Sequence, residues 1–228
     1  MMLSFTLDAN GSSARISADI QTLIIAGWSG RDVASVEHHI AELAALGIAR
    51  PSALPLYYRA SRDQLTQSSE IQVVGDMTSG EAEAFVFAVG SELYVSVASD
   101  HTDRKLEAHS VALSKQICSK PVGSAAWRMA DVQDHWDELV LRSHIEEGGR
   151  QVLYQEGPLA SLRSPSDLIA GFIAGASVLP DRTAMCCGTV GAIGGIRPSR
   201  LFSMEIFDPK LDRTLAHRYK IQTLPEIA

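Results

Sequence analysis

Four short segments carry residue types that can do chemistry together: His39-Ile40-Ala41-Glu42, Glu81-Ala82-Glu83, Asp100-His101-Thr102-Asp103-Arg104 and Cys187-Gly188-Thr189. Glu81 and Glu83 are two apart, so on a strand their carboxylates project from one face, followed by Phe85 and Phe87. Like charges held side by side repel, and burying them uncompensated is costly. A hard divalent cation resolves that conflict, because Mg²⁺, Mn²⁺ and Ca²⁺ take oxygen ligands. An exposed acidic strand face beside the Ser79-Gly80 turn is the blander alternative, and the favoured one for the pair taken alone. Asp100 shifts the balance. The segment Leu93-Tyr94-Val95-Ser96-Val97 runs back antiparallel if Gly90-Ser91 is a tight turn, bringing a third carboxylate toward the first two.

The remaining candidates are individually weaker. His39 and Glu42 stand three apart on a helix, where a carboxylate can orient an imidazole for use as a general base; taken alone, a surface His-Glu contact is the favoured reading of the pair. Arg104 and Glu107 share a helix face, and Asp103 suits a helix N-cap. His101 reads as a junction residue more readily than as a ligand. Beyond Cys187, the glycines at 188, 191, 194 and 195 expose backbone N–H groups suited to an anion such as a carboxylate, with Thr189 adding a hydroxyl. Neither a P-loop ending nor the Rossmann glycine spacing is present.

The elements that must position these groups are of mixed type. Leu3–Ile25 alternates like strands with a turn at Asn10-Gly11. Arg31 to Leu46 carries Val33, Val36, Ile40 and Leu43 at helical spacing, closed by Gly47. Pro51 and Pro55 hold an extended connection into Leu56-Tyr57-Tyr58. Strands at Ala82–Val89 and Leu93–Ala98 precede a helix expected from Leu106 through Ile117. A hairpin around Gly148-Gly149, a helix at Ser166–Ala174, and strands at Ala184–Cys187, Leu201–Phe207 and His217–Ile221 complete the chain. Short, unequal helices between strands do not suit a doubly wound sheet. They predict an α+β fold, a mixed or antiparallel β core with peripheral helices, and no domain boundary is evident.

Bulk properties narrow the function. The 228 residues suffice for a substantial core, and a formal charge of −7 without a basic cluster speaks against nucleic acid. The longest apolar run, around Leu168–Leu179, is too short to span a bilayer, and no signal peptide is read at the N-terminus. Three cysteines, Cys118 and the adjacent Cys186 and Cys187, make no disulfide framework, which points to the cytoplasm. Small buried strand residues are the expected role of the adjacent pair.

Together, in this order, the segments resemble the fumarylacetoacetate hydrolase (FAH) superfamily, and more closely its DUF2848 branch, from Gly27 to Asp208. Gly30-Arg31 leading to His39-x-x-Glu42 resembles the lid with its catalytic His-Glu dyad. Glu81-x-Glu83 and Asp100 match the three metal ligands, Arg104 the substrate-contacting Arg, and Lys120 the active-site Lys. Leu179-Pro180-Asp181 and Gly188-Thr189 resemble the stretch whose Thr binds a substrate carboxylate. The chain departs from the family in a shorter Glu83–Asp100 segment, a lengthened lid helix, Cys187 in place of Thr, and Glu107 in place of Gln.

The resemblance implies one FAH-like catalytic domain over residues 1–228, with N-terminal strands and lid to about residue 60 and a mixed β-roll or β-sandwich core beyond. It implies a homodimer and a Mg²⁺ or Mn²⁺ cofactor, with Ca²⁺ a further candidate. The activity implied is hydrolysis of a small 2-oxo or 1,3-diketo acid. The cation would polarise the oxo oxygens and stabilise an enolate, His39 oriented by Glu42 would activate water, and Lys120 and Arg104 would balance charge during C–C cleavage. A decarboxylase, hydratase or isomerase of a related oxo acid, or a non-catalytic organic-acid-binding protein, is the alternative.

Overall fold

A computed structural model of the chain describes residues 1–9, 12–45 and 50–227, with the side chains of all of these except 8, 9, 12, 13, 39, 42, 43 and 45. The first strands are β1 (Met2–Ala9), β2 (Ser12–Asp19) and β3 (Thr22–Gly27), followed by helix α1 (Val33–Ala45) and β4 (Leu56–Ala60). The central region holds β5 (Leu65–Thr66), β6 (Glu70–Val74), β7 (Thr78–Ser79), β8 (Ala82–Val89), β9 (Glu92–Ser99) and β10 (Thr102–Asp103). Two short helices, α2 (Arg104–Glu107) and α3 (Val111–Ile117), lead to β11 (Lys120–Pro121), β12 (Ala125–Arg128), β13 (Val140–Glu147) and β14 (Arg150–Pro158). Helix α4 (Pro165–Phe172) and strands β15 (Thr183–Cys186), β16 (Leu201–Asp208) and β17 (Arg213–Leu224) end the chain.

Two sheets form the body. The larger runs β2-β1-β12-β9-β8-β15-β3-β4, the smaller β14-β13-β16-β17-β6. Most neighbours are antiparallel, but β1 with β12, β15 with β3 and β17 with β6 are parallel. The mixed core expected from the strand spacing is therefore present. The large sheet curls on itself. Phe5 of β1 stacks on Phe87 of β8 with centroids 4.4 Å apart, although two strands separate β1 from β8 in the sheet. Phe85, Phe87, Leu3, Leu23 and Ile25 fill the inside of that curl, while Ala84, Val86, Val95 and Val97 on the opposite face pack with Phe202, Ile206 and Tyr219 of the smaller sheet. β8 and β9 are thus covered on both faces, and residues 82–88 of β8 are all buried.

Turn chemistry sets the registers. The β8–β9 hairpin closes on Gly90 at φ +62°, and the β13–β14 hairpin on Gly148 and Gly149 at φ +56° and +76°, a left-handed pair suited to glycine. Ser164 caps α4, accepting from the Asp167 N–H at 3.1 Å, with Pro165 in the first turn.

Two local expectations need correction. The helix predicted from Leu106 through Ile117 is two pieces, because the Ser110 hydroxyl accepts from the Leu113 N–H and starts a new helix. Leu113 and Ile117, counted in its apolar stripe, are exposed. In α1 the stripe is real at Ile40, which is buried, but Val33 faces solvent. The expected turn at Asn10-Gly11 and the helix end at Leu46-Gly47 lie outside the described residues. No helix among the described residues is long and apolar enough to cross a membrane.

Candidate metal centre

The three carboxylates converge because one hairpin places them. Ala82 pairs with Ser99 and Glu83 with Ala98, and the Asp100 N–H donates to the Glu81 carbonyl at 3.0 Å. Asp100, one residue past the end of β9, therefore lies beside the start of β8. Glu81 and Glu83 do share a face, the one that continues into Phe85 and Phe87. One oxygen from each of Glu81, Glu83 and Asp100 lies within 4.8 Å of the others. Glu83 is 2% exposed and Asp100 fully buried.

Cations and backbone donors surround this cluster. Arg104, on the first turn of α2, reaches Glu81 at 3.0 Å, Glu107 at 2.8 Å and the Ser79 hydroxyl at 2.7 Å. Asp103 caps that helix, accepting from the Leu106 N–H, as expected from its position. Lys120 is fully buried; its ammonium donates to the carbonyls of His101 (2.6 Å) and Cys118 (3.1 Å) and lies 3.2 Å from Asp100 Oδ1. Lys115, on α3, donates to Asp100 Oδ2 and sits 3.8 Å from Glu81. Burial and the neighbouring charges of Asp100 and Glu81 push the Glu83 carboxyl well above the usual carboxylate range. Burial pushes Asp100 the same way, but Lys115 and Lys120 outweigh it and hold Asp100 low. Burial opposes the Lys115 charge, yet Asp100, Glu81 and Glu83 more than restore it.

His101 is a structural residue. Its ring bonds the Tyr219 hydroxyl at 3.0 Å and the Thr78 hydroxyl at 2.9 Å, and burial with the Lys120 charge lowers its pKa to about 3. The three thiols are buried, and desolvation raises each of them and disfavours the thiolate.

The glycine-rich turn does offer an N–H to a carboxylate, but to one of the protein's own. The Gly188 N–H donates to Glu83 Oε2 at 2.6 Å. Gly188 sits at φ +94°, where an added Cβ would lie 1.7 Å from Ser29 Oγ, so only glycine permits this approach. Thr189 Oγ1 donates to the Ala82 carbonyl at 2.7 Å. The buried Gln155, unremarked in the sequence, locks the arrangement: it accepts from the Ala82 N–H and Ser143, and donates to Thr189 Oγ1 and the Val190 carbonyl. Nothing in the sequence singles out Ser29 or Gln155, whose partners are 158 and 34 residues away, and Lys115, 15 residues from Asp100, lies in a helix whose spacing does not show which side chain turns inward.

These groups edge a cavity of about 610 Å³. Glu81, Glu83, Arg104, Lys115 and Thr189 supply its polar wall, while Trp28 and Tyr58 stand among its apolar lining. The Trp28 indole donates to the Tyr58 hydroxyl at 3.2 Å, from a left-handed backbone of φ +59° that non-glycine residues seldom adopt. Ser35 and Val36 bring the first turn of α1 to the rim. Further along that helix come His39 and Glu42, whose side chains lie outside the described residues.

The donor set fits a hard divalent cation. It is oxygen-only, and buried Asp100 Oδ1 has an ion-pair contact but no hydrogen bond.

A search of curated proteins finds no match to the sequence. The family described as "Protein of unknown function (DUF2848)" matches residues 26–219. The chain belongs to the DUF2848 family. Solved structures show where this DUF2848 protein stands by fold. It is similar to a putative fumarylpyruvate hydrolase from Burkholderia cenocepacia, at 17% identity over 97% of this chain and 96% of that one, with a TM-score of 0.61. A putative fumarylacetoacetate isomerase/hydrolase from Oleispira antarctica is 14% identical over 95% and 98% of the two chains, TM-score 0.64. A 2-keto-3-deoxy-D-arabinonate dehydratase complexed with magnesium and 2,5-dioxopentanoate is 16% identical over 91% of this chain and 75% of that one, TM-score 0.63. The DUF2848 chain thus has the α+β curled-sheet fold of FAH-family proteins. Hydrolases and a dehydratase share that fold, so the fold by itself selects no reaction.

Proposed function

We propose that this DUF2848 protein is an enzyme that uses Mg²⁺ or Mn²⁺ to hydrolyse a small 2-oxo or 1,3-diketo acid by C–C cleavage. The observation that carries this reading is the carboxylate triad, Glu83 and Asp100 buried and Glu81 half-buried, with Glu81 and Glu83 lining a cavity of about 610 Å³. A similarly folded dehydratase holds magnesium together with an oxo acid, which supports it. Glu81, Glu83 and Asp100 would hold the cation. When bound, it supplies a Lewis acid that polarises the oxo oxygens of the ligand. Arg104, pinned by Glu107 and Ser79, places Nη2 in ion-pair contact with Glu81 and lines the cavity, where it can balance an acid group. Lys120 holds a fixed positive charge behind Asp100, favouring negative charge that develops nearby. Gly188 holds Glu83 in place, and Thr189 presents its side chain at the cavity edge. In this reading His39, with Glu42, would take a proton from water as the water oxygen attacks the distal carbonyl; the C–C bond to the 2-oxo acid fragment would then break, and that carbon would take up the proton.

The test is turnover of a panel of acylpyruvates by metal-stripped protein, with pyruvate release as the readout. Release that needs added Mn²⁺ or Mg²⁺, and that His39→Ala abolishes while leaving Mn²⁺ binding intact, is the expected result. Mn²⁺-dependent product other than pyruvate would replace the hydrolase with a decarboxylase, hydratase or isomerase. Ligand-induced stabilisation without turnover would overturn the enzyme reading in favour of an organic-acid binder.

A further inference from the structure

Lys115 stands where a cation would stand. Its ammonium is bonded to Asp100 Oδ2 and lies 3.8 Å from Glu81 Oε2, and the positive charge is favoured there by all three carboxylates of the triad. Its stem is buried, with Nζ 5.7 Å from the Tyr58 ring centre, and the residue also lines the cavity. Charge counting makes this placement informative. Glu81, Glu83 and Asp100 face Arg104, Lys115 and Lys120, with Glu107 a further carboxylate on Arg104, so the metal-free cluster already holds three cations. Arg104 and Lys120 are each held by further partners outside the triad, Ser79 and Glu107 for one, two backbone carbonyls for the other. Among the described residues the Lys115 ammonium bonds the triad, with the Tyr58 ring centre 5.7 Å away, and its long stem can swing toward the cavity the residue already lines.

We infer that Lys115 is a tethered counter-ion that occupies the carboxylate triad in the metal-free protein and leaves Asp100 for the cavity when a divalent cation enters. The role rests on the cation site proposed above. An ammonium and a divalent cation compete for the same oxygens, so the apparent metal affinity is the intrinsic affinity multiplied by the fraction of molecules in which Lys115 is out. With both present the polar wall is more positive than in the metal-free protein, and the displaced ammonium faces the space where an anionic ligand sits. Metal uptake and anion uptake are thereby linked through one side chain. A purely structural ion pair between α3 and the end of β9 behaves differently: it would survive metal binding, and losing it would weaken the site.

Two measurements decide between these. In the first, wild-type protein stripped of metal is acetylated with an amine-reactive ester, with and without Mn²⁺, and modification of Lys115 is quantified by peptide mass spectrometry. Labelling that rises several-fold with Mn²⁺, and does not rise in Glu83→Gln, is expected. In the second, Mn²⁺ binding to Lys115→Met and Lys115→Arg is measured by calorimetry. The Met variant is expected to bind Mn²⁺ roughly tenfold tighter than wild type or better, and the Arg variant no tighter than wild type. Should Lys115→Met fail to fold without metal, the labelling of the wild-type protein decides alone. Labelling unchanged or reduced by Mn²⁺, or a Met variant that binds Mn²⁺ no better than wild type, overturns the competing role while leaving the metal site standing. Absence of Mn²⁺ binding in wild type and in the Met variant alike overturns the cation site itself.

Discussion

Glu83→Gln separates what holds the fold from what holds a cation. The Glu83 carboxyl is buried, accepts from the Gly188 N–H at 2.6 Å, and is pushed well above its ordinary 4.5 by burial and by Asp100. Without metal, that carboxyl keeps its proton over a range where an exposed Glu has lost it. Glutamine conserves its volume, its neutrality and an acceptor for Gly188, so metal-free Glu83→Gln should melt within about 2 °C of wild type, well inside the range of ordinary point substitutions. What the substitution removes is the anionic ligand. A ligand at about 100 times its Kd adds about 2.7 kcal/mol to stability. For a chain of this size each kcal/mol is about 2–4 °C, so Mn²⁺ at that excess should raise the wild-type Tm by about 5–11 °C. The same addition should leave Glu83→Gln unmoved. The assay is calorimetric melting of chelator-stripped protein with and without Mn²⁺. The pH dependence has a definite sign. A raised carboxyl contributes stability that is present below its ordinary pKa and lost as pH rises through the raised value, so metal-free wild type should lose Tm relative to the variant as pH climbs above 4.5. A Glu83→Gln protein that keeps the full Mn²⁺ shift would refute its role as a ligand. A metal-free variant that melts as far below wild type as the Mn²⁺ shift is large would refute the protonated state.

Two further outcomes follow from the same geometry. Gly188→Ala places a Cβ 1.7 Å from Ser29 Oγ at φ +94°, and left-handed strain plus overpacking should cost about 2–6 kcal/mol, read as a lower Tm. Adding Ser29→Ala should return part of the overpacking loss and none of the backbone strain, and a Gly188→Ala Tm within about 1 °C of wild type would contradict the contact. For His101, burial lowers the pKa from 6.5 to about 3, so its contribution is present above 6.5 and lost as pH falls toward 3. Tm should therefore drop more steeply from about pH 7 to about pH 5 in wild type than in His101→Gln, which keeps a donor and an acceptor, and parallel slopes would contradict the buried neutral ring.

Much of the frame was legible because it is written in local chemistry. Gly90-Ser91 and Gly148-Gly149 mark hairpins through backbone conformations that few other residues adopt, and the strand alternation around them follows. The Glu-x-Glu spacing guarantees a shared face once the strand exists. The helix beyond Asp100 misled because Leu106, Leu113 and Ile117 keep helical spacing across Ser110. Spacing says nothing of which turn burial will favour, and the side-chain cap at Ser110 broke the run. The glycine-rich turn was legible as an anion-seeking backbone, though not as one whose Gly188 N–H would be taken by Glu83.

What the sequence alone determined is the set of groups: three carboxylates at the two ends of one hairpin, a capped Arg behind them, and a glycine that tolerates a left-handed backbone. These depend on interactions within about twenty residues, which spacing and turn type encode. Tertiary structure alone decided how those groups are charged and held. Curling of the large sheet buried Glu83 and Asp100, and burial raised one carboxyl while Lys115 and Lys120 lowered the other. Gln155 and Ser29 reached the site from distant segments to seat the glycine turn. Charge state depends on desolvation and on neighbours in space, and a linear pattern carries neither until the chain has folded.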